Sequence, residues 1–447
     1  MRPVTNFKMS ALTETKSLTG AFTAEAFAAH LERVQHLPAW WLDRQRAAYD
    51  RFASLPMPRR TDEGWRFSNL STLTLEGFVP SPEKSAVPAA ISAFGAVPRE
   101  ASLIFTNNVC TQLPEVSAEL AARGVIVTTL ARAVIDHPKL LTDHFMAQPQ
   151  KLGSEKFSAL HAAFVENGAF IYVPKHVVVP APILIGQLAT GAGTAVFPHA
   201  LVVAEEHAQV TVAEYFVSAD GHAHFACGAN DLYAGHGAQL TYIAAQNWSR
   251  ETLSFQFNAT VARRDARVLS LNLHLGARQA RHESFSQLQA PGAHSEMLAL
   301  TVAHGAQEFD QRTLQVHQAP DTSSNLLYKN ALLDQAKTIF SGLIVVDPDA
   351  QKTDAYQSNR NLMLSDEAEA NSLPGLEIQA NDVRCTHGAT TARIDREQEF
   401  YLKSRGIPAA QAQELLVFGF FEEILGQVAN PALHDALAAV IREKFQS

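Results

Sequence analysis

Cysteine is scarce in this chain: Cys110, Cys227 and Cys385 are the only three in 447 residues, far apart and without a C-x-x-C pair. Neither a disulfide framework nor a self-contained zinc site is suggested, and free thiols in a reducing compartment fit best. Charge is sparse too. Asp, Glu, Lys and Arg make up 18% of the chain, the net charge is -9 with a pI near 6.1, and no Lys/Arg run stands out. A broad electrostatic grip on phosphate backbones is therefore not expected, and nucleic acid is a poor partner. Nowhere do roughly 18 apolar residues run together, so no membrane-crossing helix is expected. The opening "MRPVTNFKMSALTETKSLTG" lacks the apolar run and cleavage site of a signal peptide, and a soluble, cytoplasmic protein is the expectation. Walker loops, Rossmann glycine patterns and nucleophile elbows are missing as well.

What is present is apolar. A hydrophobic share of 47% excludes a wholly disordered chain and favours well-buried, sheet-rich structure, either as two or three domains or as one elongated repeat body. Up to about residue 70, Phe27, Leu31, Val34, Trp41, Leu42 and Tyr49 recur at helical intervals, and Pro38 divides them into two helices. "VPSPEKSAVPAA" reads as a Pro/Ser-rich connector, and the following segment mixes short β-branched runs with helical texture. These features predict an N-terminal helical region over 1–80 and a mixed α/β region over 81–160. From about Phe170, short strands punctuated by Gly, Ala, Asp and Pro continue to Ile394. Four turn-then-strand units align on Ala208, Ala238, Ala266 and Ala293, giving steps of 30, 28 and 27 residues. Such steps are too irregular for propeller blades but suit the coils of a solenoid, so a β-helix is predicted over 161–394. Val210, Val212, Leu240, Val268 and Leu271 are expected to be buried between coils, with Gln, Arg and His outward. A jelly roll shares this alternation.

The region 395–447 reads as helical. Asp395 suits a cap with Gln398 as its capping-box partner, Arg405-Gly406 closes the first helix, and Pro408 opens the next. The latter places Leu415, Leu416, Phe418, Phe421, Ile424 and Leu425 on a broad apolar surface. That surface must pack on the chain's own core or dock another protein.

Chemistry concentrates in "NDVRCTHGATTARIDREQEFYLKSRGIP". Residues two apart on a strand share a face, so Cys385 and His387 can reach one ligand, and a thiolate with an imidazole suits iron, zinc or copper. Two ligands are half a site, and the same pair also fits a small buried thiol beside a surface histidine. A Cys–His hydrolase lacks its orienting third group. His236 and the cluster His222, His224 and Cys227 are further possible ligands, whereas the adjacent pairs Glu205-Glu206 and Glu422-Glu423 point apart as solvated carboxylates. His199, His274 and Arg384 are candidates for the face of Cys385 and His387.

The span Lys352–Leu416, including "YQSNRNLML" and "DVRCTHGATTARIDREQEFYLKSRGIP", closely resembles the signature region of the SufB/SufD family of iron–sulfur cluster assembly proteins. "PMPRRTDEGWRFSNL" resembles that family's N-terminal segment. Within the family the chain is most similar to SufD. SufB carries a cysteine in the stretch aligned with "YQSNRNLML" and a glutamate directly after the histidine, positions held here by Asn359 and Gly388.

The resemblance implies a right-handed parallel β-helix flanked by helical regions, acting as a non-catalytic scaffold subunit. It implies a heterodimer with a SufB-like subunit and docking of a SufC-like ABC ATPase on the C-terminal helices, through Phe400, Tyr401, Leu415, Leu416, Phe418 and Phe421. His387 becomes a ligand to a transient iron–sulfur cluster or iron at the subunit interface, and Cys385 an accessory thiol. Flavin binding stays unassigned. A SufB-like scaffold, a homodimeric β-helix structural protein and a β-helix carbohydrate enzyme are the competing readings, the last needing a groove of clustered catalytic side chains that the sequence does not display.

Overall fold

Two sheets of parallel strands, wound alternately, form the body of the protein. The computed structural model describes residues 19–80 and 94–446; the connector expected over 79–90 lies, beyond Pro80, outside the described residues. One sheet carries strands such as Gln209–Ser218, Gln239–Asn247, Arg267–His274 and His294–Ala303, ending with Val383–Arg393. The other carries Phe225–Ala234, Leu253–Ala262, Gln279–Leu288 and Glu308–His317, ending with Glu369–Ile378. Successive strands alternate between the sheets, making a β-solenoid of about 8 turns. Its strands pair in parallel, which rules out the jelly roll; antiparallel pairing is confined, among the described residues, to Ala101–Thr106 with Val109–Gln112 and Ile126–Thr129 with Ala169–Val173.

The repeat read from alanine is the register itself. Gln209 pairs with Gln239, Gln239 with Arg267 and Arg267 with His294, so Ala208, Ala238, Ala266 and Ala293, each one residue earlier, stack as one fully buried column. The residue before each alanine, His207, Gly237, Asp265 or Gly292, has φ between 54 and 76°, the left-handed conformation that turns the chain into the next strand. In later coils Thr322 and Thr353 take the column position, and their hydroxyls bond the carbonyls of Ala319 and Ala350.

The interior departs from expectation. Val210, Leu240 and Val268 do stack inside, but so do His274, His282, Gln256, Gln311, Gln357 and a series of asparagines, all buried. Leu271 instead lies on the outer face, in the cluster shared with the C-terminal helices. Parallel registered stacking lets many of the buried amides satisfy one another across coils, which offsets part of the penalty that argues for placing them outside. Asn230 donates to Asn258 (3.1 Å), Asn258 to Ser284 (3.2 Å) and Asn330 to Asn361 (2.8 Å).

Both outer faces are covered. The helices Ala24–Arg33 and Ala39–Ser54, separated by Pro38, pack with helix Glu155–Phe164 over Phe225, Phe255 and Phe257. "TDEGWRFSN" is clamped to the same sheet by a buried ion network. Arg281 stacks on Trp65 at 4.1 Å and donates to the carbonyls of Gly64 and Leu152, both at 2.7 Å, while pairing with Glu283 and Asp310. Arg312 donates to the Arg66 carbonyl at 2.9 Å. On the opposite side, helices Ala409–Leu425 and Pro431–Gln446 bury Val417, Phe421, Ile424, Leu425, Leu433 and Leu437 against Ile243, Leu271, Leu273, Leu298 and Leu300. The helix Pro431–Gln446 falls within the region 395–447 read as helical, as a third helix beyond the two drawn from Asp395 and Pro408. Lys329, nearly buried, donates to the Phe420 carbonyl and pairs with Glu423, which also holds Arg360. Glu423 is therefore an anchor of this helix and not a merely solvated carboxylate.

Candidate functional site

The final coil is where the covering stops. Val383–Arg393 pairs with Thr353–Met363 on one side, and Glu369–Ile378 with Lys337–Val346. Each ends its sheet with an unpaired edge. Side chains that are buried in earlier coils are here half or fully exposed, because nothing stacks above them.

Register places Cys385 beside Ala355 and His387 beside Gln357, so the two project from one face of the last strand as the period of two requires. That face continues the solenoid interior. Cys385 extends the column Val210, Leu240, Val268, Ser295, Ser324, Ala355; His387 extends Tyr242, Ser270, Met297, Leu326, Gln357. Cys385 is half-buried over Ile344, Val346, Ala350, Ala355 and Ala380, and this burial pushes its thiol above the ordinary range. The thiol is thus protonated at neutral pH. His387 is exposed. A soft and a borderline ligand therefore stand side by side at an open end, with solvent or a second protein as the remaining neighbour.

Asn359 is fully buried one column over, beside Ala389 of the last strand, and accepts from Asn361 (3.0 Å) and Ser372 (2.6 Å). Its amide nitrogen has no protein partner, which leaves an unsatisfied donor directly beneath the open coil. Gly388 has space around it: an added Cβ would meet only the Tyr356 hydroxyl, at 3.8 Å.

The other candidates do not converge here. His199 lies buried on the outer face of the opposite sheet, 3.1 Å from His161, and His274 is inside the solenoid, stacked on His282 at 3.8 Å. Arg384 points to the face opposite Cys385 and pairs with Asp354. His222 and His224 sit in a loop and not on a strand; His224 is buried against Ser218 and Asp220, while Cys227 is sealed under helix Glu155–Phe164 and donates to the Phe157 carbonyl. That trio forms no site. Of the proposed docking residues, Phe400, Tyr401 and Leu415 are exposed, Leu416 and Phe418 half-buried, and Phe421 wholly buried. Phe421 therefore belongs to the chain's own core, because the apolar helix face finds its complement on the outer surface of the solenoid.

Comparison with known families places most of the chain in one family. Residues 187–420 match the model described as "SUF system FeS cluster assembly, SufBD core domain", and residues 24–185 match "SufBD protein N-terminal region". A SufBD family iron–sulfur cluster assembly protein of Synechocystis is 30% identical over 89% of both chains. The iron–sulfur cluster assembly protein SufD of Bacillus subtilis is 29% identical, over 92% of this chain and 95% of its own, and that of Escherichia coli 28%, over 87% and 89%. The chain belongs to the SufBD family of SUF-system iron–sulfur cluster assembly proteins, and within it is most like SufD.

Proposed function

We propose that this chain is a non-catalytic, SufD-type scaffold subunit, cytoplasmic, that pairs with a SufB-like subunit through the open end of its β-helix and docks a SufC-like ABC ATPase on its C-terminal helices. The nascent cluster is cargo, held transiently between subunits. His387 supplies an imidazole and Cys385 an accessory thiol, and the remaining ligands come from the partner.

One observation carries this reading: among the described residues the last coil, which bears Cys385 and His387, leaves the interior-facing side chains of its two strands half or fully exposed, and both strands are unpaired sheet edges. Unpaired edges are sites for strand addition, so a partner seated there completes both sheets and the ligand set together. The docking surface follows from exposure. Phe400 and Tyr401 on helix Arg396–Ser404, which has no buried residue, and Leu415 on the helix packed beside it are all exposed. A partner covering these three side chains removes apolar surface that the chain itself leaves in water.

The test is co-purification of the full chain with SufB-like and SufC-like proteins. Phe400→Ala with Leu415→Ala is expected to lose the ATPase while keeping the SufB-like subunit. Retention of the ATPase in that variant overturns the docking assignment, and elution of the unaltered chain apart from the SufB-like protein overturns the scaffold reading. Truncation after Asp395 is a poor substitute, since it strips the cover from Ile243, Leu271 and Leu300.

A further inference from the structure

We propose that Glu206, His207 and His236, on the turn edge of the solenoid and far in sequence from the last coil, form a binding site for a divalent first-row transition-metal ion. The site arises from the coil repeat. A turn position recurs in neighbouring coils at strand spacing, so side chains there stack in a column. His176 and His207 both occupy the left-handed turn position, at φ 60 and 55°, where Gly, Asn or Asp is usual. Their rings stack at 5.3 Å, and His207 lies 5.0 Å from His236 in the next coil.

Gly237 occupies that turn position in the third coil, and there the column changes. A Cβ on Gly237 would fall 2.3 Å from Nδ1 of His207, so the missing side chain is what lets the His207 ring lean toward His236. One ligand atom each from Glu206, His207 and His236 then lies within 4.8 Å of the others. Small rotamer adjustments bring such a group to metal–ligand distances of about 2.0–2.2 Å.

The charges around it are arranged for a cation. Lys175 donates to Oε2 of Glu206 at 3.0 Å and leaves Oε1 facing Nδ1 of His236 at 3.8 Å. On the far side of the His236 ring, Asp265 stands 3.5 Å from Nε2. In the tautomer with its proton on Nε2, facing Asp265, His236 presents its Nδ1 lone pair toward Glu206 Oε1. A metal cation seated between Nδ1 and Oε1 satisfies both lone pairs, and a carboxylate behind a ligating imidazole is the usual support of such a site. Two imidazoles and a carboxylate suit zinc, iron(II), cobalt(II) or nickel(II) in preference to calcium or magnesium. His207 and His236 are exposed, so the entry path is open.

The test uses the full, untagged chain carrying Cys385→Ser and His387→Ala, so that the last coil contributes nothing, and follows cobalt(II) by its visible d–d absorption under anaerobic conditions. One equivalent is expected to bind with tetrahedral or five-coordinate intensity. Adding His207→Asn, which keeps a residue tolerant of the left-handed turn, together with His236→Gln is expected to abolish the spectrum with circular dichroism unchanged. Asp265→Asn is expected to weaken binding about tenfold or more. Glu206→Gln, which alters neither turn, is expected to weaken it as well and covers the case in which the double variant misfolds. No absorption in the starting chain, or an unchanged titration in the folded double variant or in Glu206→Gln, overturns the site.

Discussion

Glu214 sits inside the solenoid with no access to water, and its replacement by glutamine has an effect on stability that reverses the usual acid-denaturation pattern. Its carboxylate oxygens accept from Gln187, at 2.8 Å, and from the Tyr242 hydroxyl. Burial outweighs both hydrogen bonds and raises the carboxyl from 4.5 to about 7. Below pH 4.5 the folded and unfolded chains are both protonated at this group. Between 4.5 and about 7 the folded chain keeps a proton that the unfolded chain has lost, so stability falls as pH rises, by about 1.36 kcal/mol per pH unit. Above about 7 the loss is complete, at about 3 kcal/mol. Glu214→Gln has no such proton. Urea unfolding of both proteins across about pH 4 to 8 is expected to show the variant gaining on the natural chain by about 3 kcal/mol, with the change falling between 4.5 and 7. A stability difference that does not vary with pH refutes the reasoning, and with it the dry, amide-lined interior from which it is drawn.

Three further outcomes follow from the packing. Phe421→Ala removes a fully buried ring from the helix–solenoid interface and is expected to cost about 3–5 kcal/mol, whereas Leu415→Ala stays within about 0.5 kcal/mol; thermal denaturation of the two separates core from surface. Arg281→Met leaves Glu283 without its cation and is expected to cost about 3–5 kcal/mol while freeing the Trp65 segment, detectable as new cleavage near Gly64 in limited proteolysis. Blocking the open end by Ala389→Arg, at an exposed position beside the Asn359 column, is expected to leave the melting temperature unchanged and abolish pairing with a SufB-like subunit in size-exclusion chromatography.

The solenoid was legible in the sequence because its turns impose a demand that few residues meet. The column before each strand admits only small side chains, so Ala208, Ala238, Ala266 and Ala293 marked the true register. The marking faded at Thr322 and Thr353, where a hydroxyl bonded to a local carbonyl serves as well. The interior was legible only in part: Val210, Val212, Leu240 and Val268 lie inside as expected, but Leu271 does not, and the buried amides and histidines were missed. With both outer faces covered, strands such as Leu253–Ala262 and Gln279–Leu288 are buried at every position, and alternation no longer separates inside from outside. Phe421 failed for a related reason: an amphipathic helix declares that it has a partner but not which one. The shared face of Cys385 and His387 needed only the strand period, while Glu206, His207 and His236 are brought together by a 30-residue register that no local pattern contains.

The central claim is shared ligation of a nascent cluster at the open end. The most direct measurement is the visible absorption of a cluster reconstituted anaerobically, with iron and a sulfide source, on the complex of this chain with its SufB-like and SufC-like partners, compared with the same complex carrying His387→Ala. The account predicts a band that requires all three proteins and weakens in the variant while the complex stays assembled. An unchanged band in an intact variant complex contradicts it.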